Sequence, residues 1–274
     1  MADKELLKKY SNSDFYFNRD ISWVEFNRRV LEEALNPELP ILEKVKFVSI
    51  FSSNLDEFYM IRVSGLKEQI AAGVSEPTID GYTPIDELNE IERQVKPMLD
   101  QLSDLWINEI VPHLKDNNIF IYEFNELSDS EKENVNSYFL KEIYPVLTPL
   151  AFDPGRPFPY ISNLSLSLAV LVKSPKGEEH FARVKVPSIL PRLLQIDKIV
   201  GNKKKNGGSN KYRYLWLGDL IKENLNTLFP KMEVIEAHRF RVTRDTDIEI
   251  QEDEADDLLK VIEENIRQRK FGNV

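Results

Sequence analysis

Residues 50–58 read Ile50-Phe51-Ser52-Ser53-Asn54-Leu55-Asp56-Glu57-Phe58. Within them, Ser52 to Glu57 form a polar run inside a segment that otherwise has the apolar spacing of a long helix. Apolar residues recur at helical spacing on both sides of Ser52-Ser53-Asn54: Ile41, Val45 and Val48 before, and Leu55, Phe58, Tyr59 and Leu66 after. Ser and Asn are poor residues for a helix interior because their side chains compete for backbone hydrogen bonds. A helix that keeps Ser52, Ser53 and Asn54 in succession accepts a small cost, which hints at a polar site.

Two more helices are predicted around this one. The first starts at Ser22, because Ser22 and Glu25 have the spacing of a capping box, and it ends at Asn36-Pro37. Its predicted apolar face consists of Trp23, Phe26, Val30 and Ala34. The second, which contains the polar run, extends from near Pro40 to about Ala72, before Gly73.

The third helix starts at Thr83-Pro84, with Asp86 three residues after the cap. Its predicted apolar positions are Ile85, Leu88, Ile91, Val95, Leu99, Leu102 and Trp106. Three amphipathic helices with short connections predict an antiparallel three-helix bundle, which we assign to residues 1–115.

Residues 116–274 mix helices and strands, which predicts an α+β domain. A capping box, Ser128 with Glu131, opens a helix that carries Val135, Phe139 and Ile143, and the proline-dense stretch 145–159 predicts an ordered loop. The remaining predicted elements are a strand pair at Leu164–Lys173 and His180–Val186 joined by a turn at 174–177, a lysine-rich loop at Gly201–Lys211, a helix at Gly218–Leu228, a strand at Val234–Arg244 and an acidic helix at Asp253–Arg269.

The composition excludes several kinds of protein. With 42% hydrophobic and 30% charged residues the chain has the composition of a soluble globular protein, and the absence of cysteine excludes disulfides, thiolate metal sites and cysteine nucleophiles. The net charge of −10 argues against non-specific binding of nucleic acid. Basic residues concentrate in 183–213 and acids in 249–264, a pattern that two solvated faces explain more simply than a local polyanion site. Neither a signal peptide nor a transmembrane segment is expected, so we assign the chain to the cytoplasm.

No stand-alone catalytic motif is present in the sequence. There is no Gly-rich phosphate loop, no HExxH and no G-x-S-x-G, and His113, His180 and His238 lack the spacing of metal ligands. Asp56 and Glu57 are adjacent on a helix and point about a quarter-turn apart, so we do not expect them to share a catalytic proton.

One strand carries a second candidate site. If residues 234–244 form a strand, Arg239, Arg241 and Thr243 lie on one face, and a row of guanidinium groups suits phosphate oxygens. The simpler interpretation is an exposed face whose arginines pair with acids later in the chain, Asp245, Asp247 or Glu249. The strand also needs neighbours that few other segments supply, so we expect a piece of a longer protein. A natural end, with the last helix capped by Gly272, is the alternative.

Four long motifs resemble one known family. They are Asp20-Ile21-Ser22-Trp23-Val24-Glu25-Phe26-Asn27-Arg28-Arg29-Val30-Leu31-Glu32-Glu33-Ala34 followed by residues 50–58, then Leu147-Thr148-Pro149-Leu150-Ala151-Phe152-Asp153-Pro154-Gly155-Arg156-Pro157-Phe158-Pro159 with Ile161-Ser162-Asn163-Leu164-Ser165-Leu166, then Phe240-Arg241-Val242-Thr243-Arg244-Asp245-Thr246-Asp247, and Glu252-Asp253-Glu254-Ala255-Asp256-Asp257-Leu258-Leu259. Together they resemble the N-terminal and middle (head) domains of bacterial polyphosphate kinase, the type with phospholipase-D-like catalytic domains. The resemblance extends from about Phe17 to Gly272, nearly the whole chain.

The resemblance implies a kinase activity whose chemistry lies outside this chain. The family reversibly moves the terminal phosphate of ATP onto inorganic polyphosphate through a phosphohistidine. The histidine and the residues that bind Mg²⁺ and phosphate belong to its C-terminal domains, so no catalytic residue is carried over to this chain. The fragment is therefore expected to be inactive alone. It would contribute ATP or ADP binding, and homo-oligomerisation through the head domain.

One site residue follows from the resemblance: the family's adenine-contacting asparagine falls on Asn54. An amide suits a purine edge because it offers both a donor and an acceptor. Alternatively, Asn54 and Asp56 only tie the bundle to the head domain. At the level of function, the alternative is a stand-alone, non-enzymatic module that dimerises or binds partners. A nucleic-acid partner is disfavoured, a peripheral membrane contact stays open, and the Lys203–Lys205 loop has no assigned role.

Overall fold

A computed structural model describes residue 10 and residues 12–151, 160–201, 211–245 and 273–274. Its contacts divide the chain into two units, Met1–Pro112 with Thr243–Val274, and His113–Val242. This division falls three residues before the predicted boundary between 1–115 and 116–274. It also groups the residues after Val242 with the first unit, whereas the predicted domain 116–274 includes them.

The first unit is the predicted helical bundle. Its helices are α1 (Arg19–Leu35), α2 (Ile41–Phe58), α3 (Ser64–Ala71), α4 (Pro84–Leu105) and α5 (Val111–Asp116), the last of which continues into the second unit. π-helical segments, Tyr59–Val63 and Trp106–Ile110, join α2 to α3 and α4 to α5. The polar run therefore lies within a continuous helical stretch that ends before Gly73, as predicted. None of the helices in the described ranges combines the length and apolar character that crossing a membrane requires.

The predicted start of the first helix is wrong, and its apolar face is predicted only in part. The helix begins at Arg19, and its cap is Asn18, whose Oδ1 accepts hydrogen bonds from Asp20 N and Ile21 N at 2.9 and 2.8 Å. Ser22 lies one turn inside the helix, where its Oγ donates to Asn18 O. Ala34 is buried as predicted, but the rest of the buried face is displaced by one position, to Val24, Asn27 and Leu31, and Phe26 is 47% exposed.

The start of α4 is predicted correctly, whereas its apolar face is predicted only in part. Thr83 caps the helix through its side chain, which accepts a hydrogen bond from Asp86 N. Leu88, Ile91 and Val95 are buried as expected. Ile85 and Leu99 are 48% and 45% exposed, and Met98 and Leu105 take the buried positions instead.

The second unit contains two sheets and short helices. Its strands are β1 (Ile119–Tyr122), β2 (Pro149–Ala151), β3 (Ser167–Lys173), β4 (Glu179–Lys185), β5 (Leu193–Gln195), β6 (Tyr212–Trp216) and β7 (Glu233–Phe240). Its helices are α6 (Asp129–Tyr138), α7 (Ile196–Val200), α8 (Leu217–Glu223) and α9 (Leu225–Leu228), and a π-helical segment, Phe139–Ile143, follows α6. The sheet orders are β1-β6-β5 and β2-β4-β3-β7, which confirms the predicted α+β class.

The larger sheet contains the predicted strand pair. β3 and β4 are antiparallel, with Val170 opposite Ala182, and Gly177 has the positive φ of +88° that their turn requires. Alternate residues of both strands face the core. Leu168, Val170, Ala182 and Val184 are 0% exposed and pack with the α6 helix and its π-helical extension, where Val135, Phe139 and Ile143 are buried as predicted.

Several other predictions differ from the structure or lie outside it. The smaller sheet, formed by β1, β5 and β6, was not predicted, and the expected loop 145–159 contains β2 at its start. β7 ends at Phe240, four residues before the predicted end. The rest of that loop, from residue 152, the lysine-rich loop over 202–210 and the acidic helix at Asp253–Arg269 lie outside the described residues.

Candidate functional site

Asn54 belongs to a short series of amide hydrogen bonds between α1 and α2. Its Nδ2 donates to Asn27 Oδ1 at 3.1 Å, and Asn27 Nδ2 donates to Phe51 O at 3.2 Å. Asn27 is 1% exposed, so its bond to Phe51 O is shielded from water, and the two bonds together fix its carboxamide. Asn54 is half-buried. Its Oδ1 and second Nδ2 hydrogen have no partner among the described residues, so they can pair with a ligand.

A cavity of about 250 Å³ opens beside this half-partnered amide. It is lined by Trp23, Phe26, Asn54, Glu57, Phe58, Ile61 and Arg62. The rings of Trp23 and Phe58 stack with their centroids 4.2 Å apart and their planes 3° apart. Phe58 is buried whereas Phe26 is half exposed, so the apolar wall extends from the core to the surface. A wall of this kind suits a flat ring, and Asn54 supplies polar groups at its side.

Of the polar run, only Asn54 and Glu57 line the cavity, together with the apolar Phe58 that directly follows it. Ser52 Oγ donates to Val48 O at 2.9 Å, which satisfies the hydroxyl within its own helix. Ser53 is exposed, and Asp56 makes contacts of its own. Of the three residues that lower the helix propensity here, Ser52, Ser53 and Asn54, only Asn54 is therefore a candidate for binding a ligand.

The helix changes its winding within the stretch that lines the cavity. The π-helical segment Tyr59–Val63 follows Phe58 directly, and Ser64 Oγ donates to Met60 O and Ile61 O at 2.8 and 3.1 Å. Such segments break the regular backbone bonding, and they are frequent at functional sites. Here the segment carries Ile61 and Arg62, which line the cavity together with Asn54.

A carboxylate at the start of α1 lies next to Arg62. Asp20 Oδ1 is 3.9 Å from Arg62 Nε, and the Asp20 side chain is only 12% exposed. Asn18, which caps the helix beneath Asp20, also donates to Asp80 Oδ2 at 3.0 Å. Burial raises the pKa of neighbouring Glu87; the hydrogen bond with Asn18 opposes this rise, and the negative charges of Asp20 and Asp80 add to it. The Asp20 carboxylate also accepts a hydrogen bond from Arg19 Nε at 3.4 Å, so two arginines lie beside it.

The arginine row predicted on the last strand is not formed. β7 ends at Phe240, so Arg241 and Thr243 lie outside it. Arg239 pairs with Asp219 of α8, its Nη1 3.0 Å from Oδ1. Of the acids that follow it in sequence, Asp247 and Glu249 lie outside the described residues. The structure thus does not bring Arg239 and Arg241 together on one strand face.

The histidines and carboxylates of the described ranges do not assemble a metal site. His180 Nε2 is 3.9 Å from Glu178 Oε2, and His238 Nε2 is 3.1 Å from Glu236 Oε2. His113 is exposed. Within those ranges, no three His, Cys, Asp or Glu side chains converge in a way that could hold an ion. The described residues therefore do not fit Mg²⁺, and no chemical step here is assigned to it.

Sequence reasoning missed most of the cavity around Asn54. Trp23 and Phe26 were assigned to the core, and Asn27 and Arg62 were not singled out. One signal could have found Asn27, because the spacing of Val24, Leu31 and Ala34 places it on the same buried face. A buried amide on an apolar face requires a hydrogen-bonding partner, and that partner is Asn54.

Two family models match the chain. Residues 16–122 match the polyphosphate kinase N-terminal domain, and residues 130–274 match the polyphosphate kinase middle domain. Among curated proteins, the chain is 50% identical to a polyphosphate kinase of Prosthecochloris aestuarii over 276 aligned positions, and 48% identical to polyphosphate kinase 1 of Chlorobaculum tepidum over 266. These alignments cover 100% and 96% of this chain, but the chain spans only 38% of the length of each relative.

A solved structure gives the same result. The crystal structure of polyphosphate kinase from Porphyromonas gingivalis matches 92% of this chain and 37% of its own chain, with a TM-score of 0.72 and 28% sequence identity. The resemblance drawn from the sequence motifs is thereby confirmed. The chain belongs to the polyphosphate kinase family.

Proposed function

We propose that this chain is the N-terminal and middle part of a polyphosphate kinase, and that the cavity at Asn54 receives the adenine of ATP or ADP. The parent would transfer the terminal phosphate of ATP reversibly to inorganic polyphosphate, through a phosphohistidine in the part of the protein beyond these two domains. Mg²⁺ would act in that part too. The middle domain would serve homo-oligomerisation, and the protein would work in the cytoplasm.

The single observation that carries the nucleotide assignment is the half-partnered amide of Asn54 beside an aromatic wall. Asn27 holds one Nδ2 hydrogen of Asn54, which lines the cavity and keeps an acceptor and a donor without a partner among the described residues. A purine edge needs such a pair, and its flat faces suit the aromatic side chains beside it. A purely structural tie would instead use the remaining polar groups of Asn54 within the protein.

The nucleotide role predicts a specific kinetic change in the full-length protein. Replacing Asn54 with Ala removes the amide that pairs with the base, so we expect the KM for ATP to rise about fivefold, the effect of one neutral hydrogen bond. The measurement is initial-rate kinetics of polyphosphate synthesis at varied ATP. Ser53→Ala is the matched control, because Ser53 is exposed on the same helix and does not line the cavity.

Two outcomes decide between the nucleotide and structural roles of Asn54. An unchanged KM together with a lower unfolding midpoint would assign Asn54 to tying α2 to α1. A raised KM with an unchanged midpoint supports the nucleotide role.

The chain alone is expected to lack polyphosphate synthesis. Phosphoryl transfer needs a metal and positive charge around the transferred phosphate, and the described residues do not assemble a metal site. The purified 274-residue chain should therefore produce no polyphosphate from ATP and Mg²⁺ above the level of a protein-free control. Turnover by the isolated chain would contradict this.

A further inference from the structure

Arg62 places a positive charge in the Asn54 cavity, and the adenine assignment does not use that charge. Asn54 and Arg62 both line the cavity, but they contact α1 at different places: Asn54 at Asn27 and Arg62 at Asp20, with the Trp23–Phe58 ring stack between them along the helices. Their partners Asp20 and Asn27 are seven residues apart in the α-helix α1, which corresponds to about 10 Å along its axis. The two polar groups are thus too far apart to contact one flat ring, whereas a ligand that extends beyond its ring can contact both.

The position of Arg62 leaves its charge accessible to a ligand. Its side chain is 46% exposed, and its one ion-pair contact within the described ranges is to Asp20 Oδ1 at 3.9 Å. That separation is at the outer limit of an ion pair, longer than a direct charge-assisted hydrogen bond. An incoming anion can therefore bind the guanidinium without first breaking a tight contact.

Glu57 makes the cavity electrically asymmetric. It lies one turn after Asn54 and lines the same cavity, so its carboxylate is closer along the helix to the amide than to Arg62. An anionic group is repelled near Glu57 and attracted near Arg62. A nucleotide would consequently lie with its base at Asn54 and its phosphates toward Arg62.

We infer that Arg62 is the phosphate-binding residue of this cavity, and that Asp20 positions its guanidinium for the first phosphates of a nucleoside di- or triphosphate. This inference rests on the proposed function, because it takes the base to bind at Asn54. It adds a determinant of specificity: the cavity distinguishes a phosphorylated nucleoside from the nucleoside itself. Arg62 binds through charge-assisted hydrogen bonds that a planar guanidinium can make in pairs.

The test compares adenosine and ADP binding to the full-length protein by calorimetric titration. Arg62→Gln should weaken ADP binding about tenfold, the lower range for a hydrogen bond to a charged group, and leave adenosine binding within about twofold. Arg62→Lys keeps the charge but not the paired geometry, so its ADP affinity should lie between those of wild type and Arg62→Gln. Arg29→Gln is the matched control, because Arg29 is exposed on α1, outside the cavity, and forms no ion pair within the described ranges.

Each outcome separates this inference from the proposal beneath it. An equal loss of adenosine and ADP binding in Arg62→Gln, or no loss of ADP binding, overturns the phosphate assignment while adenine binding at Asn54 stands. Equal weakening by Arg29→Gln overturns it as well, because general charge would then explain the result. Adenosine binding that is unaffected by Asn54→Ala contradicts the adenine site itself. If Arg62→Gln lowers the unfolding midpoint, Arg62→Lys and the adenosine-to-ADP ratio decide the assignment.

Discussion

Arg213 in the second unit and Asn54 in the first are both partly buried polar side chains, and they use their polar groups in opposite ways. Arg213 binds Glu131, lies 3.6 Å from Asp197 Oδ1 and stacks its guanidinium over Tyr122, 5.4 Å from the ring centre. Its Nε alone is buried without a partner in the described part of the chain. Asn54 makes one hydrogen bond, to Asn27 Oδ1, and lines a cavity.

The difference indicates how to separate structural from functional polar groups in this molecule. Burial raises the pKa of the Glu131 carboxyl, but hydrogen bonds from Arg213 and Ser128 outweigh burial and lower that pKa to about 2. The carboxylate is thus stabilised by groups within the protein. A side chain whose hydrogen-bonding groups are used within the protein stabilises the fold. A side chain that keeps such groups unpaired beside a cavity is available to a ligand.

The largest effect is expected from removing Arg213. Arg213→Ala leaves Glu131 and Asp197 charged and largely shielded from water, because their side chains are only 18% and 26% exposed. Loss of one partner from such a group should lower the free energy of unfolding by about 3 kcal/mol. Chemical denaturation of the purified chain, followed by far-ultraviolet circular dichroism, measures the change.

The control is a chemically similar pair in the first unit. Arg93 binds Glu90, with Nε 2.7 Å from Oε2, and hydrogen bonds from Arg93 and Gln94 lower the pKa of Glu90 to about 2. The Arg93 side chain is 70% exposed, so water replaces the contact readily and Arg93→Ala should leave unfolding unchanged within error. Equal losses in the two variants would mean that enclosure does not distinguish these pairs.

The elements predicted correctly depend on signals a few residues apart. Ser128 and Glu131 form the expected capping box, Thr83 caps α4, and Gly177 provides the turn between β3 and β4. In each case the deciding contact joins residues close in the chain, so composition and spacing contain the information.

The elements that were missed depend on contacts between distant residues. The smaller sheet pairs Ile119 with Tyr212 in parallel, and its strands are only three to five residues long. Strands this short have too few residues to show a period, and their pairing partner lies far along the chain. The displaced face of α1 has a similar origin, because Asn27 belongs to the core only through its bonds to Phe51 and Asn54.

The residues of the candidate site were also predicted only in part. Asn54 came from the family resemblance, whereas its supporting residue, Asn27, and the ring of Trp23 come from a neighbouring helix about 30 positions earlier. The polar run alone does not show which of its side chains faces a cavity. Only the packing of α1 on α2 determines that.

A smaller effect, on both stability and binding, is expected from Asn27. Asn27→Ala leaves Phe51 O without a side-chain donor in a buried place and removes the acceptor that holds Asn54, so we expect a loss of about 2 kcal/mol in the free energy of unfolding. The KM for ATP in the full-length protein should also rise, because Asn54 loses the bond that orients it. Asn89→Ala is the matched control, since Asn89 is an exposed asparagine in α4.

A double-mutant cycle sharpens the contrast between support and contact. If Asn27 acts on the nucleotide only through Asn54, then Asn27→Ala should raise the KM for ATP much less in the Asn54→Ala background than in the wild type. Its cost in stability should persist there, because the bond to Phe51 O is lost in either background. Full additivity of the two KM effects would instead assign Asn27 a contact of its own with the ligand. That outcome would remove the distinction between an internal support and a half-partnered contact on which the comparison with Arg213 depends.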